Sequence, residues 1–162
     1  MTFAHDFAFY RDDRPLGALQ PDSFWSAMKA EAAQLHAARL TTFPDRVAKG
    51  RMSRIDADRE LRIARAIAED WGALERSPGF PIATWSEIIH GLRREITLRR
   101  QHWPQLVEAR RIPADDAERR LLTLEIAHDV LWHSTNLPEA RVARDALADH
   151  REAERQRHRQ AA

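Results

Sequence analysis

The stretch RLTTFPDRVAKGRMSRIDADREL, residues 39–61, decides the fold, because RRQHWPQLVEARRIPADDAERRL, residues 99–121, repeats it 60 positions later. The similarity extends without gaps over residues 24–71 and 84–131. Ten pairs are identical: Trp25 and Trp85, Ser26 and Ser86, Arg39 and Arg99, Pro44 and Pro104, Val47 and Val107, Arg51 and Arg111, Asp56 and Asp116, Ala57 and Ala117, Arg59 and Arg119, and Leu61 and Leu121. Self-similarity at this period indicates that one structural unit is duplicated within the chain.

The first helix of each copy has a recognisable start and end. It begins near Ser23 in copy one and at Thr84 in copy two, where Glu87 follows at the spacing of a capping box. Pro44 and Pro104 are predicted to end it, because proline donates no backbone hydrogen bond and restricts the residue before it. The apolar positions that recur at helical spacing are Trp85, Ile88, Ile89, Leu92 and Ile96, matched in copy one by Trp25, Met28, Ala32, Leu35 and His36. We expect this stripe to be buried.

The second helix of each copy follows an elbow. In copy one, Ser53 caps the second helix, with Asp56 three positions later. In copy two, the second helix begins at Pro113, because proline is tolerated in the first helical turn. The predicted inward positions are Ala57, Leu61, Ala64, Ala68 and Trp71, echoed by Ala117, Leu121, Leu124, His128 and Trp132 after a one-residue slip near the end. Arg110 replaces Gly50, and a left-handed turn strains any residue with a side chain, so we expect the second elbow to have a different shape.

The predicted fold is all-α. A tandem duplication of a helical hairpin forms a four-helix bundle-like core, which is a single domain over residues 23–135 with hairpin copies at 23–80 and 83–135. A C-terminal fifth helix and its charged tail follow over residues 136–162. An extended N-terminal arm precedes the core over residues 1–22.

The arm concentrates aromatic residues. Phe3, Phe7, Phe9 and Tyr10 occur in its first half, before a stretch that contains two prolines and a glycine. Four exposed aromatic side chains are unfavourable without a surface to cover. We therefore expect them to lie along a groove of the bundle, and their presentation to another subunit or partner is the alternative.

The amino-acid composition excludes several classes of functional site. The chain of 162 residues has no cysteine, which excludes disulfides, thiolate catalysis and cysteine zinc sites. Its 26 basic and 25 acidic residues give a net charge of +1, so no overall field indicates nucleic acid or membrane as a partner. We find no serine nucleophile beside a base and no glycine-rich phosphate loop, and we expect neither enzymatic activity nor a cofactor. Without a long apolar run or a signal peptide, the protein is expected to be soluble and cytoplasmic.

Two Glu-x-x-His motifs are the only constellation typical of a metal site. Glu87 with His90, and Glu125 with His128, have the spacing by which helical bundles direct a carboxylate and an imidazole towards a metal. A metal-binding bundle is therefore one alternative function. Against it, Glu87 is needed for the capping box and copy one supplies no ligands at the equivalent positions, so our first expectation is no metal. His36 and His128 lie on inward faces, where we expect core histidines that hydrogen-bond a neighbouring helix.

Basic residues gather around the second elbow. They are Arg93, Arg94, Arg99, Arg100, Arg110 and Arg111, with His102 and Trp103 between them. Arginines at one end of a bundle can contact phosphates while an aromatic ring stacks on a base, so nucleic-acid binding is another alternative function. The interpretation that we prefer is a solvated helix face whose arginines pair with nearby Asp115, Asp116 and Glu118.

The repeated elbow also carries a resemblance. Its pattern consists of Arg39, Phe43, Pro44, Val47, Gly50, Met52, Ser53, Ala57 and Asp58. The pattern resembles that of short, uncharacterised helical proteins encoded by phages and prophages of proteobacteria, a family that implies no known activity. Copy two departs from it, with Trp103 for the aromatic residue, Arg110 for the glycine and Pro113 for the serine.

These observations predict a non-enzymatic helical module that binds a protein partner. In a phage setting, the resemblance implies an assembly factor or an inhibitor of a host protein. The expected contact residues are Trp103, Arg99, Arg100, Arg110, Arg111, Phe3, Phe7, Phe9 and Tyr10. We expect no membrane partner, we leave a homo-oligomer open, and we expect the working surface on the second hairpin.

Overall fold

Five α-helices make up the part of the chain that the structure describes. The computed structural model describes residues 23–161, so the arm expected over residues 1–22, with its four aromatic side chains, lies outside the described residues. The helices are α1 (Phe24–Ala48), α2 (Arg54–Asp70), α3 (Trp85–Glu108), α4 (Ala114–Ser134) and α5 (Pro138–Ala161). No strand occurs between residues 23 and 161. The prediction of an all-α fold is confirmed.

The first four helices form a bundle of two hairpins. α1 packs on α2 and α3 packs on α4 across short elbows, and the hairpins meet where α1 contacts α4 and α2 contacts α3. The ion pairs Glu60 with Arg94 and Arg62 with Glu87 run in opposite chain directions along α2 and α3, so these helices are also antiparallel. Both elbows therefore lie at one end of the bundle, and the longer α2–α3 linker lies at the other.

The main core contains many of the positions that the apolar spacing predicts, together with Ile63, Ile67, Ile126 and Ala127, which the predicted stripes do not include. Its buried side chains include Met28, Ala32 and Leu35 of α1, Ile63, Ile67 and Ala68 of α2, Ile88, Leu92 and Ile96 of α3, and Leu124, Ile126 and Ala127 of α4. Three of the expected inward positions, His36, Leu61 and Leu121, are only half-buried. The predicted stripes therefore coincide with the buried faces only in part.

The fifth helix packs on the second hairpin. The side chains that form this smaller cluster are Trp85, Ile89 and Trp132 on the hairpin and Ala140, Ala143 and Leu147 on α5. At its edge, the Ser86 hydroxyl donates a hydrogen bond to Glu139 at 3.0 Å. The small residues of α5 allow close approach to the two indole rings, so α5 covers the outer side of α3 near its start.

The helix starts follow the capping rules. Ser53 accepts a hydrogen bond from the backbone N–H of Asp56 at 3.0 Å, and Thr84 and Glu87 form both bonds of a capping box. These two predictions are confirmed. Pro113 is the N-cap of α4, and the helix begins one residue later at Ala114. Such caps satisfy backbone donors that have no partner within the helix.

The predicted ends of α1 and α3 at Pro44 and Pro104 are wrong. Both prolines lie inside their helices, which continue to Ala48 and Glu108. A proline removes the hydrogen bond to the carbonyl four residues earlier, and its ring crowds that carbonyl. So close to the C-terminal end, that loss is outweighed by the last helical turn and by the packing of buried residues such as Phe43.

The two elbows have the same shape, which corrects the expectation of a different second elbow. After α1, the N–H of Arg51 bonds the carbonyl of Arg46 at 2.9 Å, and Gly50 has a φ of 65°. After α3, the N–H of Arg111 bonds the carbonyl of Leu106 at 2.8 Å, and Arg110 has a φ of 55°. Both are Schellman motifs, so Arg110 adopts a left-handed conformation that glycine would take without strain.

Candidate functional site

Arg99, expected to contact a partner, is buried in an ion-pair network, with only 4% of its surface exposed. Its Nη2 lies 2.6 Å from Glu31, and its Nε donates to Glu95 at 2.8 Å. Its repeat counterpart Arg39 is also buried and lies 3.5 Å from Glu95. Arg120 of α4 donates to both carboxylate oxygens of Glu31 at 3.0 Å. The expectation that Arg99 is an exposed contact is therefore wrong, because helix packing encloses it among carboxylates.

Burial and ion pairing shift the pKa values of the groups in this network in opposite directions. Burial by itself raises the pKa of Glu31, but the hydrogen bond from Arg120 and the charge of Arg99 outweigh it, and the pKa lies below its usual value. Burial lowers the pKa of Arg39, and the charge of Glu95 offsets part of that effect. The network thus holds charges inside the protein and leaves them unavailable to phosphate groups.

Trp103 is half-buried over the same network. The guanidinium carbon of Arg99 lies 4.3 Å from the centre of its ring, and that of Arg120 lies 5.1 Å away. Copy one repeats the contact more loosely, with Arg39 5.9 Å from the centre of the Phe43 ring. Cations over an aromatic face attract the ring electrostatically. Trp103 therefore stabilises the elbow end of the bundle and offers only part of its ring to a partner.

Three further arginines of the basic group have partners on other helices. These contacts are Arg93 Nε to His128 Nε2 at 2.9 Å, Arg94 to Glu60 at 2.6 Å and Arg100 to Glu125 at 2.6 Å. The predicted partners Asp115, Asp116 and Glu118 take no part in them. Acceptors on facing helices come closer than those across the elbow, so the arginines tie α3 to α2 and α4.

Arg110 and Arg111 are the members of the basic group that remain exposed at the elbow. Neither makes an ion pair with any residue of the described range 23–161. They lie just beyond the end of α3, at the same end of the bundle as Arg51, the repeat counterpart of Arg111. Arg46, in the last turn of α1, is also exposed at this end without an ion pair in the described residues, so the elbow end carries four free arginines that can contact an anionic group.

The Glu-x-x-His motifs are engaged in other contacts. Glu87 accepts hydrogen bonds from Arg62 at 2.6 Å and from the backbone N–H of Thr84 at 2.9 Å. The bond from Arg62 is the main reason that the pKa of Glu87 falls to about 2. Glu125 pairs with Arg100. In residues 23–161, no three His, Asp or Glu side chains are grouped so that they could hold a metal ion.

His128 is the core histidine that its position predicts, and this prediction is confirmed. It is 1% exposed, and its ring stacks on Trp132 with centres 6.1 Å apart. Burial, together with the charge of Arg93, lowers the pKa of His128 well below its ordinary value, so the ring is neutral and accepts the bond from Arg93. His36 differs, because it is half-buried, and burial lowers its pKa to a smaller extent.

Trp25, expected in the buried stripe of α1, is 57% exposed. Its repeat counterpart Trp85 is 7% exposed, because α5 covers it together with Ile89. At the position that corresponds to Ile89, copy one has the exposed Lys29. No helix of the described chain lies over Trp25, whose ring instead packs against Trp71 with centres 5.0 Å apart. The sequence carries a signal for this difference, since lysine replaces isoleucine one turn after the tryptophan.

The concave surfaces of the described part of the chain include a groove and a cavity. A groove of about 350 Å³ between α1 and α4 is lined mainly by apolar atoms, including those of Phe24, Leu122 and Ile126. A cavity of about 220 Å³ beside the α2–α3 linker contains Asp70, whose pKa burial raises, 3.6 Å from Arg76. Neither set of lining residues includes a histidine that could act as a base. The cavity is lined in part by the polar side chains of Glu69, Asp70, Arg76 and Ser77, whereas the groove is mainly apolar.

Comparison with protein-family models, with curated proteins and with solved structures gave no match to this chain. None of the helices between residues 23 and 161 has the length and apolar character needed to span a lipid bilayer. The function must therefore be argued from the geometry of the side chains described above.

Proposed function

We propose that the protein is a non-enzymatic helical module that binds a protein partner, and that the partner contacts the outer face of α1 around Trp25. The observation that carries the proposal is the unequal exposure of two repeated tryptophans, 57% for Trp25 and 7% for Trp85. An exposed tryptophan that rests against another ring, as Trp25 rests against Trp71, is a favourable anchor. It buries a large apolar area on binding and loses little conformational entropy.

The distribution of the arginines limits a possible nucleic-acid contact to the elbow end of the bundle. Nucleic-acid affinity depends on several unpaired cations that neutralise phosphates on one surface. Here, Arg94, Arg99 and Arg100 pair with carboxylates, and the exposed arginines without an ion pair in the described residues at the elbows are Arg46, Arg51, Arg110 and Arg111. Trp25 lies at the far end of α1 from the elbows, roughly 35 Å away for a helix of this length. The two surfaces are therefore separate and can be tested separately.

The resemblance of the elbow to phage and prophage proteins suggests the biological role. Such a module would act in the cytoplasm as an assembly factor or as an inhibitor of a host protein. Both roles require a specific contact with another macromolecule and no chemical conversion. They agree with a site that offers an apolar anchor and no catalytic group.

Affinity capture with the full-length chain tests the proposal. We expect the unmodified chain to recover a specific protein from a lysate of the source cells, and Trp25→Ala to recover at least tenfold less of it. Phe80→Ala is the matched control, because it also removes an exposed aromatic ring, 94% exposed, but from the α2–α3 linker. Unchanged helical circular dichroism would show that both variants are folded.

Several results would contradict the proposal. Equal recovery with Trp25→Ala would remove this face as the contact. A shift of DNA or RNA that falls steeply with salt, and that disappears when Arg110 and Arg111 are both changed to alanine, would favour the nucleic-acid alternative. Stoichiometric zinc, iron or manganese in the purified protein would favour the metal-binding alternative.

A further inference from the structure

The ion-pair network between α1, α3 and α4 holds more positive than negative charge. Its centre contains three guanidinium groups and two carboxylates, which belong to Arg39, Arg99, Arg120, Glu31 and Glu95. At its edge, Glu60 lies 2.6 Å from Arg94, and these two opposite charges cancel. The centre therefore carries one positive charge in excess. An enclosed charge without a counter-charge is costly, so the excess calls for an anion.

The duplication explains the excess, because it repeats the arginine but not the carboxylate beside it. Arg39 and Arg99 are counterparts at the offset of 60, whereas the counterpart of Glu95 is Leu35. One carboxylate of α3 therefore serves both arginines. Its Oε1 lies 2.8 Å from Nε of Arg99, and its Oε2 lies 3.5 Å from Nη2 of Arg39. The longer contact leaves the charge of Arg39 less well compensated than that of Arg99.

Both repeated arginines also have an unused donor group inside the protein. The Nη1 atoms of Arg39 and Arg99 are buried and have no acceptor among residues 23–161. The two residues are only 8% and 4% exposed, and buried N–H groups normally have a partner. Arg99 binds its carboxylates through Nε and Nη2, so its Nη1 donates from another edge of the planar group. Because both guanidinium groups flank Glu95, the two unused donors belong to one region of the interior.

We propose that a small monovalent anion of the chloride type binds in this region and accepts hydrogen bonds from Nη1 of Arg39 and Nη1 of Arg99. One negative charge balances the excess, and an ion that only accepts hydrogen bonds satisfies both donors. A water molecule also accepts hydrogen bonds but leaves the charge unbalanced, so the anion is the better occupant. The side chains of Glu95 and Arg120 are 17% and 24% exposed, which gives an ion access from solvent. The inference is independent of the α1 face around Trp25.

Thermal unfolding of the full-length chain at constant ionic strength tests the site. As sodium chloride replaces sodium gluconate, Tm should rise and then saturate, because the folded chain alone binds the ion. For a Kd on the order of 10 mM, about 100 mM chloride should raise Tm by about 3 °C. Arg39→Met removes the excess charge and one donor, and it should abolish the chloride-dependent rise. Arg65→Met is the matched control and should keep the rise, because Arg65 pairs at 2.9 Å with Glu69, which is outside the network.

Crystals of the unmodified chain soaked in sodium bromide locate the ion without any substitution. We expect an anomalous bromide peak within hydrogen-bonding distance of both Nη1 atoms. A water molecule at that position would overturn the proposal, as would equal Tm values in chloride and gluconate or an equal chloride response in Arg39→Met. A bromide peak without a saturating rise in Tm would mean an adventitious ion only and would also overturn it. None of these results bears on partner capture through Trp25, so the proposed function stands or fails separately.

Discussion

Replacing Arg110 with glycine is expected to stabilise the protein, although it removes a charged side chain. Arg110 follows the last turn of α3 with a φ of 55°, where its counterpart Gly50 has a φ of 65°. The Schellman motif requires this left-handed conformation, in which a Cβ crowds the following carbonyl. The Arg110 side chain is exposed and makes no ion pair within residues 23–161, so little is lost with it.

The size of the effect follows from two opposing contributions. Relief of the left-handed strain is worth about 1–2 kcal/mol. The greater freedom of glycine in the unfolded chain costs about 0.5–1 kcal/mol. The free energy of unfolding should therefore rise by about 0.5–1 kcal/mol, which corresponds to an increase in Tm of about 2–3 °C for a chain of this length.

Urea unfolding followed by circular dichroism measures this change. The midpoint for Arg110→Gly should rise with an unchanged dependence on denaturant. Two variants isolate the backbone cause: Gly50→Arg should lose about 1 kcal/mol, and Ala109→Gly, at a φ of −75°, should be destabilised because it has no strain to relieve. An unchanged or lower stability of Arg110→Gly, or a gain in Ala109→Gly, would refute the reasoning.

Three more perturbations probe the interior. Glu31→Gln leaves the buried charge of Arg99 poorly compensated and should lower the free energy of unfolding, measured in urea, by about 3 kcal/mol. A decrease below about 1 kcal/mol would mean that the buried pair contributes no more than an exposed ion pair does. The pKa of Glu87 is about 2 in the folded chain against an ordinary 4.5, so its stabilisation is present above pH 4.5 and is lost as the pH falls towards 2. Glu87→Gln should flatten the stability profile between these values, and an unchanged slope would count against the Glu87 contacts. A Cβ on Gly91 would lie 2.6 Å from Ile63 Cγ2, so Gly91→Ala should lower stability by about 1–2 kcal/mol in thermal unfolding. Ile63→Leu, which lacks the branch at Cβ, should recover part of that loss, and no recovery would show that the contact is not the cause.

The helix starts and the buried faces were predictable because they depend on neighbours close in sequence. The Thr84 cap needs only Glu87, three residues on, and the burial of Ile88 and Leu92 follows from their spacing on one helix face. The ends of α1 and α3 were less predictable. The rule that proline ends a helix neglects the packing that holds residues such as Phe43 in the final turns.

The candidate site was less predictable than the fold, because residues of the same type have different neighbours in the folded chain. Arg99 and Arg111 are both arginines of the second hairpin, yet Arg99 is 4% exposed and Arg111 is exposed at the elbow. Besides Glu95 of its own helix, Arg99 pairs inside the bundle with Glu31, a residue far away in the sequence. Charge patterning along one helix contains no information about carboxylates on another.

The sequence by itself determined the duplicated hairpin, its caps and its apolar stripes, since hydrogen bonds and side-chain periodicity within a helix are local. Only the tertiary structure decided which repeated residues are covered. Trp25 and Trp85 begin the same Trp-Ser motif, but α5 lies over Trp85 alone. The burial of a residue depends on which other parts of the chain pack over it. Trp85 therefore belongs to the core, whereas Trp25 is exposed on the surface that we propose binds a partner.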